Sequence, residues 1–307
     1  MVGGVDMSKK LKKKKLSMFD IVNTLLVILI TFVIAYPLYF CIIASFSNPD
    51  AVAEGKTLLW IKDFTLEAYK HVFKEERLWM GYRNTIIYTA LGTMYNLILT
   101  IPAAYVLTKQ YMPFRNIISW YFFITMYIGG GMIPTYILIR NLGLLDNPLV
   151  LIIGAGVSCY NLIITRQYFS TSIETGIYEA AYIDGASEWK CFIQIALPLA
   201  KPILAVMTLY YAVGHWNNFY SALLYIYNEN YKPLQVVLRS ILMTASTNIK
   251  NFQGMSDSEL VYLEQLERMA QSMKYSTIFI ASLPLLIAYP FMQKYFVKGV
   301  MIGAVKG

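Results

Sequence analysis

The sequence predicts an all-α membrane protein with six transmembrane helices. Three observations carry that reading. First, the 307 residues are 57% hydrophobic and only 14% charged, with a mean hydropathy of +0.49. Soluble domains average about 45–50% apolar and roughly 25% charged residues. Second, six apolar runs contain no Lys, Arg, Asp or Glu. Each is close to the ~20 residues a helix needs to cross about 30 Å of hydrocarbon. Third, backbone groups in lipid must pair internally, which leaves helices or closed barrels, and these runs are too long for barrel strands. The low charge, 25 Tyr and 16 Phe exclude a disordered chain. Cys41, Cys159 and Cys191 are too few and too scattered for a disulfide scaffold. His71 and His215 are the two histidines, with no HExxH or CxxC, so no metal site is expected.

The elements follow in order. Residues 1–20 form a basic segment that carries Lys9, Lys10 and Lys12 to Lys15. The first apolar run, 21–46, is longer than the 7–15 residues of a signal-peptide core and shows no small-residue cleavage site after it. It is read as a retained helix. An outward loop, 47–83, leads to a core of five spans at 84–296. The spans in that core are 84–107, 116–139, 147–165, 202–228 and 275–293. Residues 171–201 form an inward loop, 229–274 an outward loop, and 297–307 an inward tail. Pro37, Pro102, Pro134, Pro284 and Pro290 fall in or near the spans. Neighbouring helices can satisfy the carbonyls that proline frees there. Such breaks are either plain kinks or marks of a transport path.

Charge sets the orientation. With the N-terminus inside, 14 Lys and Arg but six acids lie on the inner face. The outer face carries 12 of each, so the net charge of +8 falls wholly inside. A basic flank of this kind holds the first terminus in the cytoplasm. The expected location is a cell membrane, crossed several times, with both termini cytoplasmic.

The inward loop carries the most specific pattern. Glu179, Ala180 and Ala181 are followed by three residues, Gly185, nine residues, then Ile195, Leu197 and Pro198. Small residues let a short helix lie close to another surface, and Gly185 permits a sharp turn. Pro198 and Pro202 suit the entry to the next helix. A compact helix–turn–helix lying along the membrane is expected. The pattern resembles the EAA signature of the permease subunits of ABC importers, and all seven specified positions match. A chance match is on the order of one in a million at ordinary residue frequencies. The resemblance implies a MetI-like fold and a coupling helix that docks on a cytoplasmic ATPase. Glu179, Ala180, Ala181, Asp184, Gly185 and Glu188 are the implied coupling residues, with Glu179 facing a cation of the ATPase. A solvated or capping glutamate is the plainer alternative.

Two further stretches are similar to the carbohydrate-uptake branch. The tail from Gln293 through Lys298 and Gly299 to Lys306 and Gly307 looks like the tail of sugar permeases. That likeness implies contact of Lys298, Gly299 and Lys306 with the ATPase dimer; a frayed end is the alternative. His215-Trp216-Asn217-Asn218-Phe219 resembles a Trp-Asn stretch of the same branch. Asn side chains inside a membrane are costly unless they face a bundle interior or a wet path. Trp216, Asn217, Asn218 and Tyr220 are therefore candidates for the substrate path, with helix–helix hydrogen bonding as the alternative. The outward loop 229–274 includes an acidic, helix-prone stretch at 258–268. By resemblance it receives a solute-binding protein, a task shared with 47–83; packing caps over the bundle are the alternative for both.

No GxxxxGK[ST] phosphate loop occurs, and Gly129-Gly130-Gly131 lie within a span, where close packing or a kink explains them. No catalytic set is found, and the basic segments lack the aromatics of a nucleic-acid surface. By resemblance the chain is read as a non-enzymatic permease subunit for sugars in a bacterial cell membrane, of the maltose-transporter-like branch and similar above all to the lipoprotein-dependent oligosaccharide permeases of Gram-positive bacteria. It is expected to form half of a pore. The implied partners are a second homologous permease, two ATPase subunits that bind ATP and Mg, an extracellular solute-binding lipoprotein, the sugar and membrane lipid. A permease for a non-sugar solute, a non-transporting sensory subunit and a membrane-embedded enzyme are the other readings.

Overall fold

A computed structural model describes residues 17–154, 156–247, 268 and 273–290. The described residues are helical or irregular, with no strand among them. Helix α1 (Met18–Ser45) starts at a capping box. Ser17 Oγ accepts from the Phe19 amide, and the Asp20 carboxylate accepts from the Ser17 amide at 3.0 Å. The helix is apolar on every side, and only Ile43, Ala44 and Ser45 are buried. A helix that is hydrophobic all round needs an apolar surround. Its far end is fastened by aromatic packing of Phe46 on Phe64 and Tyr69, and by a 2.7 Å hydrogen bond from Tyr69 to Ser45 Oγ.

Helix α2 (Glu76–Val106) is the spine of the bundle, 31 residues without a break. Its buried positions include Gly81, Asn84, Thr85, Tyr88, Gly92, Thr93, Asn96, Thr100 and Ala104. They recur every three or four residues, so they form one small and polar stripe. Trp79, Ile86, Leu91, Met94 and Ile98 stay exposed. Polar inside and apolar outside is the arrangement that lipid demands, because a polar group pays least where it finds a partner in the bundle.

The third expected span is bent. Helices α3 (Arg115–Tyr127) and α4 (Met132–Asn141) meet at 115°. The glycine run forms the corner, and Gly131 has φ +84°, a region that L side chains rarely adopt. A Cβ at Gly129 would meet nothing within 4 Å. The run therefore makes a corner, and close helix packing does not explain it. The fourth expected span is also interrupted. A short turn, Leu149–Ile153, gives way at Gly154 to α5 (Cys159–Ser172), capped by Ser158. Freed backbone groups at this break are taken up by neighbours. Asn96 donates to the Gly156 carbonyl, and Tyr211 accepts from the Ser158 amide at 3.3 Å.

Helix α6 (Thr175–Ile183) lies in the loop 171–201. Residues 188–199 then form a helical segment with a π-helical stretch, Cys191–Ala196, just before Pro198. A ring that supplies no N–H is a usual cause of such a local widening or kink. This segment meets α7 (Lys201–Trp216) at 79°. Asn217–Phe219 break the fifth expected span before the short helix Tyr220–Tyr225. Helix α8 (Leu234–Thr247) packs against the start of α2, where a Cβ on Gly81 would lie 3.1 Å from the Leu234 Cα. Residues 273–290 are helical and lie beside α7 and α8. Among the described residues, two helices are long and apolar enough to cross a membrane, and four spans result if each bent pair counts as one.

A polar chain ties α7 to α2. His215 Nε2 lies 2.6 Å from Asn96 Oδ1, and Tyr211 OH lies 2.6 Å from Thr100 Oγ1. All four side chains are buried.

Candidate functional site: the inward loop and an opposite cleft

The loop is built around a left-handed turn. Helix α6 ends with the Gly185 amide donating to the Tyr182 carbonyl at 3.0 Å and the Ala186 amide to the Ala181 carbonyl at 2.9 Å. This pair of bonds is a Schellman motif, and it needs a residue with positive φ just past the helix. Gly185 supplies it at φ +76°. The glycine of the seven-position pattern thus has a local cause. Ser187 then caps the next helical turn, its hydroxyl accepting from the Lys190 amide at 3.4 Å.

Glu179 and Glu188 face different ways. Glu179 is exposed on α6, as are Ala180, Asp184 and Gly185, and Ala181 is half-buried. Beside them, Ile183 is 86% exposed and Trp189 is 67% exposed. These two side chains leave apolar surface uncovered beside the polar groups of the loop. Glu188 turns back toward the bundle. It accepts hydrogen bonds from Tyr105 OH at 3.1 Å and from Tyr182 OH, and it lies 3.5 Å from Lys109 Nζ. Burial pushes its carboxyl upward, but hydrogen bonds from Tyr111 and Tyr182, the Lys109 charge and the Tyr105 hydroxyl outweigh that, and the net shift is downward.

Lys109 sits in an aromatic cage. Its ammonium lies 4.5 Å from the Tyr105 ring centroid and 4.0 Å from that of Tyr178, and it donates to Tyr182 OH at 2.9 Å. Burial, followed by nearby anionic groups, raises the Tyr178 hydroxyl to about 12. Burial and the Glu188 carboxylate raise Tyr111 to about 12 as well. The loop is thereby fixed to the end of α2 through Tyr105 and Lys109. Sequence reading singled out neither residue. The available signal was a lysine three residues beyond the end of a span, together with tyrosines spaced i, i+4 on α6.

The candidate path residues do not all meet. Trp216 and Asn217 line a cleft of about 610 Å³ with Phe219, Gln235, Arg239 and Thr277. Tyr220 instead points to Met132, its hydroxyl 2.7 Å from the sulfur. Asn218 is not part of the cleft wall. Arg239 and Thr277 were not foreseen, because they belong to segments whose packing on α7 no local pattern reveals. Lys298, Gly299 and Lys306 lie outside the described residues.

Loop and cleft sit at opposite ends of α2. The contact at Gly81 and the anchor at Tyr105 are about 36 Å apart at 1.5 Å per residue. A bundle turned polar side in, with an exposed helix–turn–helix at one end and a cleft at the other, defines an integral-membrane transport subunit.

Comparison with known proteins agrees. Residues 78–302 match the family described as binding-protein-dependent transport system inner membrane component. Protein LplC of Bacillus subtilis (strain 168) is 38% identical over 94% of this chain and 95% of its own length. A polygalacturonan/rhamnogalacturonan transport system permease protein, YtcP, of the same strain is 31% identical over 94% and 99%. A solved bacterial ABC transporter involved in import of the acidic polysaccharide alginate contains a chain that matches with a TM-score of 0.80. That chain is 32% identical, and the match covers 91% of this chain and 96% of the other. The chain belongs to the family of binding-protein-dependent transport system inner membrane components, and its fold is that of MetI-like permeases.

Proposed function

We propose that this chain is a permease subunit of an ATP-driven ABC importer of sugars, oligosaccharides in particular, and that it forms half of the translocation pore. The observation that carries the reading is the exposed loop 175–190, whose Glu-Ala-Ala helix and Schellman glycine stand clear of the bundle while Glu188 fastens them to α2. Sugar relatives support the substrate class. An arabinooligosaccharides transport system permease protein of Halalkalibacterium halodurans is 26% identical over 91% of this chain.

In this reading α6 docks in a cleft of a cytoplasmic ATPase. Glu179 meets a cation there, and the exposed Ile183 and Trp189 supply apolar contact. Two ATPase subunits bind and hydrolyse ATP with Mg; this chain holds the pore. A second, homologous permease completes the pore. A solute-binding lipoprotein delivers sugar at the outward face, onto segments 47–83 and 229–274. Closure of the ATPase dimer pulls on residues 179–188 and opens the pore outward, and hydrolysis resets it. Both termini are cytoplasmic, and the tail with Lys298, Gly299 and Lys306 reaches the ATPase. Trp216 and Asn217 face the path of the sugar.

The test is affinity purification of the tagged chain from native membranes with mass spectrometry, followed by reconstitution into vesicles. Recovery of an ATPase, a second permease and a lipoprotein, with ATP-driven uptake of an oligosaccharide, is the expected result. A complex that assembles but moves no sugar returns the function to a non-sugar solute or a sensory role.

A further inference from the structure

The cleft at the end of α7 holds polar groups that bundle packing leaves unused. Trp216 is 7% exposed, and its Nε1 donor has no hydrogen-bond partner. Thr277, across the cleft on residues 273–290, is fully buried, and its hydroxyl also has none. Buried donors are nearly always paired in folded proteins, so two lining the same cleft need a cause. Both lie shut behind the surface here. Asn217, Gln235 and Ser282 add further donors and acceptors to the same walls.

One cation stands at this cleft. Arg239 is exposed on α8 with its guanidinium carbon 5.2 Å from the Phe219 ring centroid. It takes part in no ion pair among the described residues. A guanidinium is planar and presents a fork of donors that matches both oxygens of a carboxylate. The ring of Phe219 holds that fork by cation–π contact without using its donors. A cleft of about 610 Å³ falls within the roughly 300–1,000 Å³ of small-ligand sites. Hydroxyl-binding groups on two walls and one carboxylate-matching cation on the third specify a ligand with many hydroxyls and one negative charge.

We propose that this cleft is a subsite for a uronate residue of an anionic oligosaccharide. Arg239 binds the carboxylate, and Asn217, Gln235, Trp216 and Thr277 bind ring hydroxyls as the pore opens. The proposal rests on the sugar-import reading and narrows it to acidic sugars.

The test uses the intact transporter, purified with its partner subunits in lipid nanodiscs and stripped of binding protein. The probes are radiolabelled trigalacturonate and its carboxyl-reduced, neutral trisaccharide. The expected result is at least tenfold tighter binding of the acid. Arg239→Gln abolishes that preference, and Arg239→Lys restores part of it, because charge returns without the fork. Equal binding of the two sugars, no binding of trigalacturonate, or a preference that survives Arg239→Gln overturns the proposal. The wild-type comparison stands even if a variant fails to fold. ATP-driven uptake with the binding protein restored tells the two levels apart. Uptake of neutral oligosaccharides with no preference for acids overturns the uronate subsite alone. Uptake of no sugar across a broad panel overturns the import reading beneath it.

Discussion

Gly92 of α2 receives the ring of His215 from α7. A Cβ at position 92 would lie 2.7 Å from His215 Nδ1 and nearer still to two other ring atoms. The ring has no room to retreat, since its Nε2 is held 2.6 Å from Asn96 Oδ1. Small residues of this kind let membrane helices approach closely.

Gly92→Ala is therefore expected to lower stability by about 1–3 kcal/mol, the usual cost of overpacking. Thermal unfolding followed by size-exclusion in detergent measures it. His215→Ala in the same chain recovers part of the loss through the space it opens. An additive double mutant would show that the ring is not the obstacle.

Gly185→Ala forces a Cβ into the left-handed region that the Schellman turn requires. The local cost is roughly 1–2 kcal/mol. Hydrogen exchange at the end of α6 should rise while the polar chain around Asn96 and Tyr211 keeps its protection. ATPase docking should weaken, because the helix no longer ends at a fixed angle. Unchanged exchange at 180–186 would remove the turn from this argument.

The Glu188 carboxyl is shifted downward, so its hold on the loop is complete above the ordinary carboxylate range. That hold is lost as pH falls through the lowered value, when Tyr105, Tyr182 and Lys109 face a neutral acid. Protection against exchange within 175–190, taken relative to the intrinsic rate at each pH, is expected to fall at acid pH in the wild type. Glu188→Gln should show the low protection already at pH 7 and little further change. A Gln variant that keeps the wild-type pH profile would assign the transition to another group.

Glu179→Lys touches an exposed side chain, and such substitutions usually change stability by no more than about 0.5 kcal/mol. The expected outcome is an unchanged unfolding midpoint together with at least tenfold weaker ATPase binding in a pull-down titration. Wild-type binding in this variant would exclude Glu179 as the partner of a cation on the ATPase.

Much of this was legible in the sequence, and the gaps have physical causes. The apolar runs 21–46 and 84–107 overlap α1 and α2, since lipid imposes one composition on any spanning helix, but α2 starts eight residues earlier, at Glu76, in a charged turn that an apolar run excludes. The runs did not reveal the 115° corner, because three glycines are compatible with tight packing as well as with a bend. The seven-position pattern found the loop and its turning point at Gly185. It grouped Glu179 with Glu188, which lie on opposite sides of the loop. Separating them required Tyr105 and Lys109, brought in by α2 from about 80 residues upstream. Trp216 and Asn217 were found as costly polar groups in an apolar run. Their cleft partners Arg239 and Thr277 were not, since only tertiary packing sets α8 and residues 273–290 against α7.

The unbroken course of α2 has a mechanical consequence. The third, fourth and fifth expected spans bend or break at glycine, proline or asparagine, yet this helix runs from the cleft end to the loop as one piece. If α6 docks as proposed, α2 is a lever. A tilt of about 10° around the Tyr105–Glu188 anchor displaces the Gly81 end by about 6 Å, given 1.5 Å of rise per residue. Motion imposed at the loop therefore arrives at the cleft enlarged, and any substitution that softens the middle of α2 lowers the gain of the whole device.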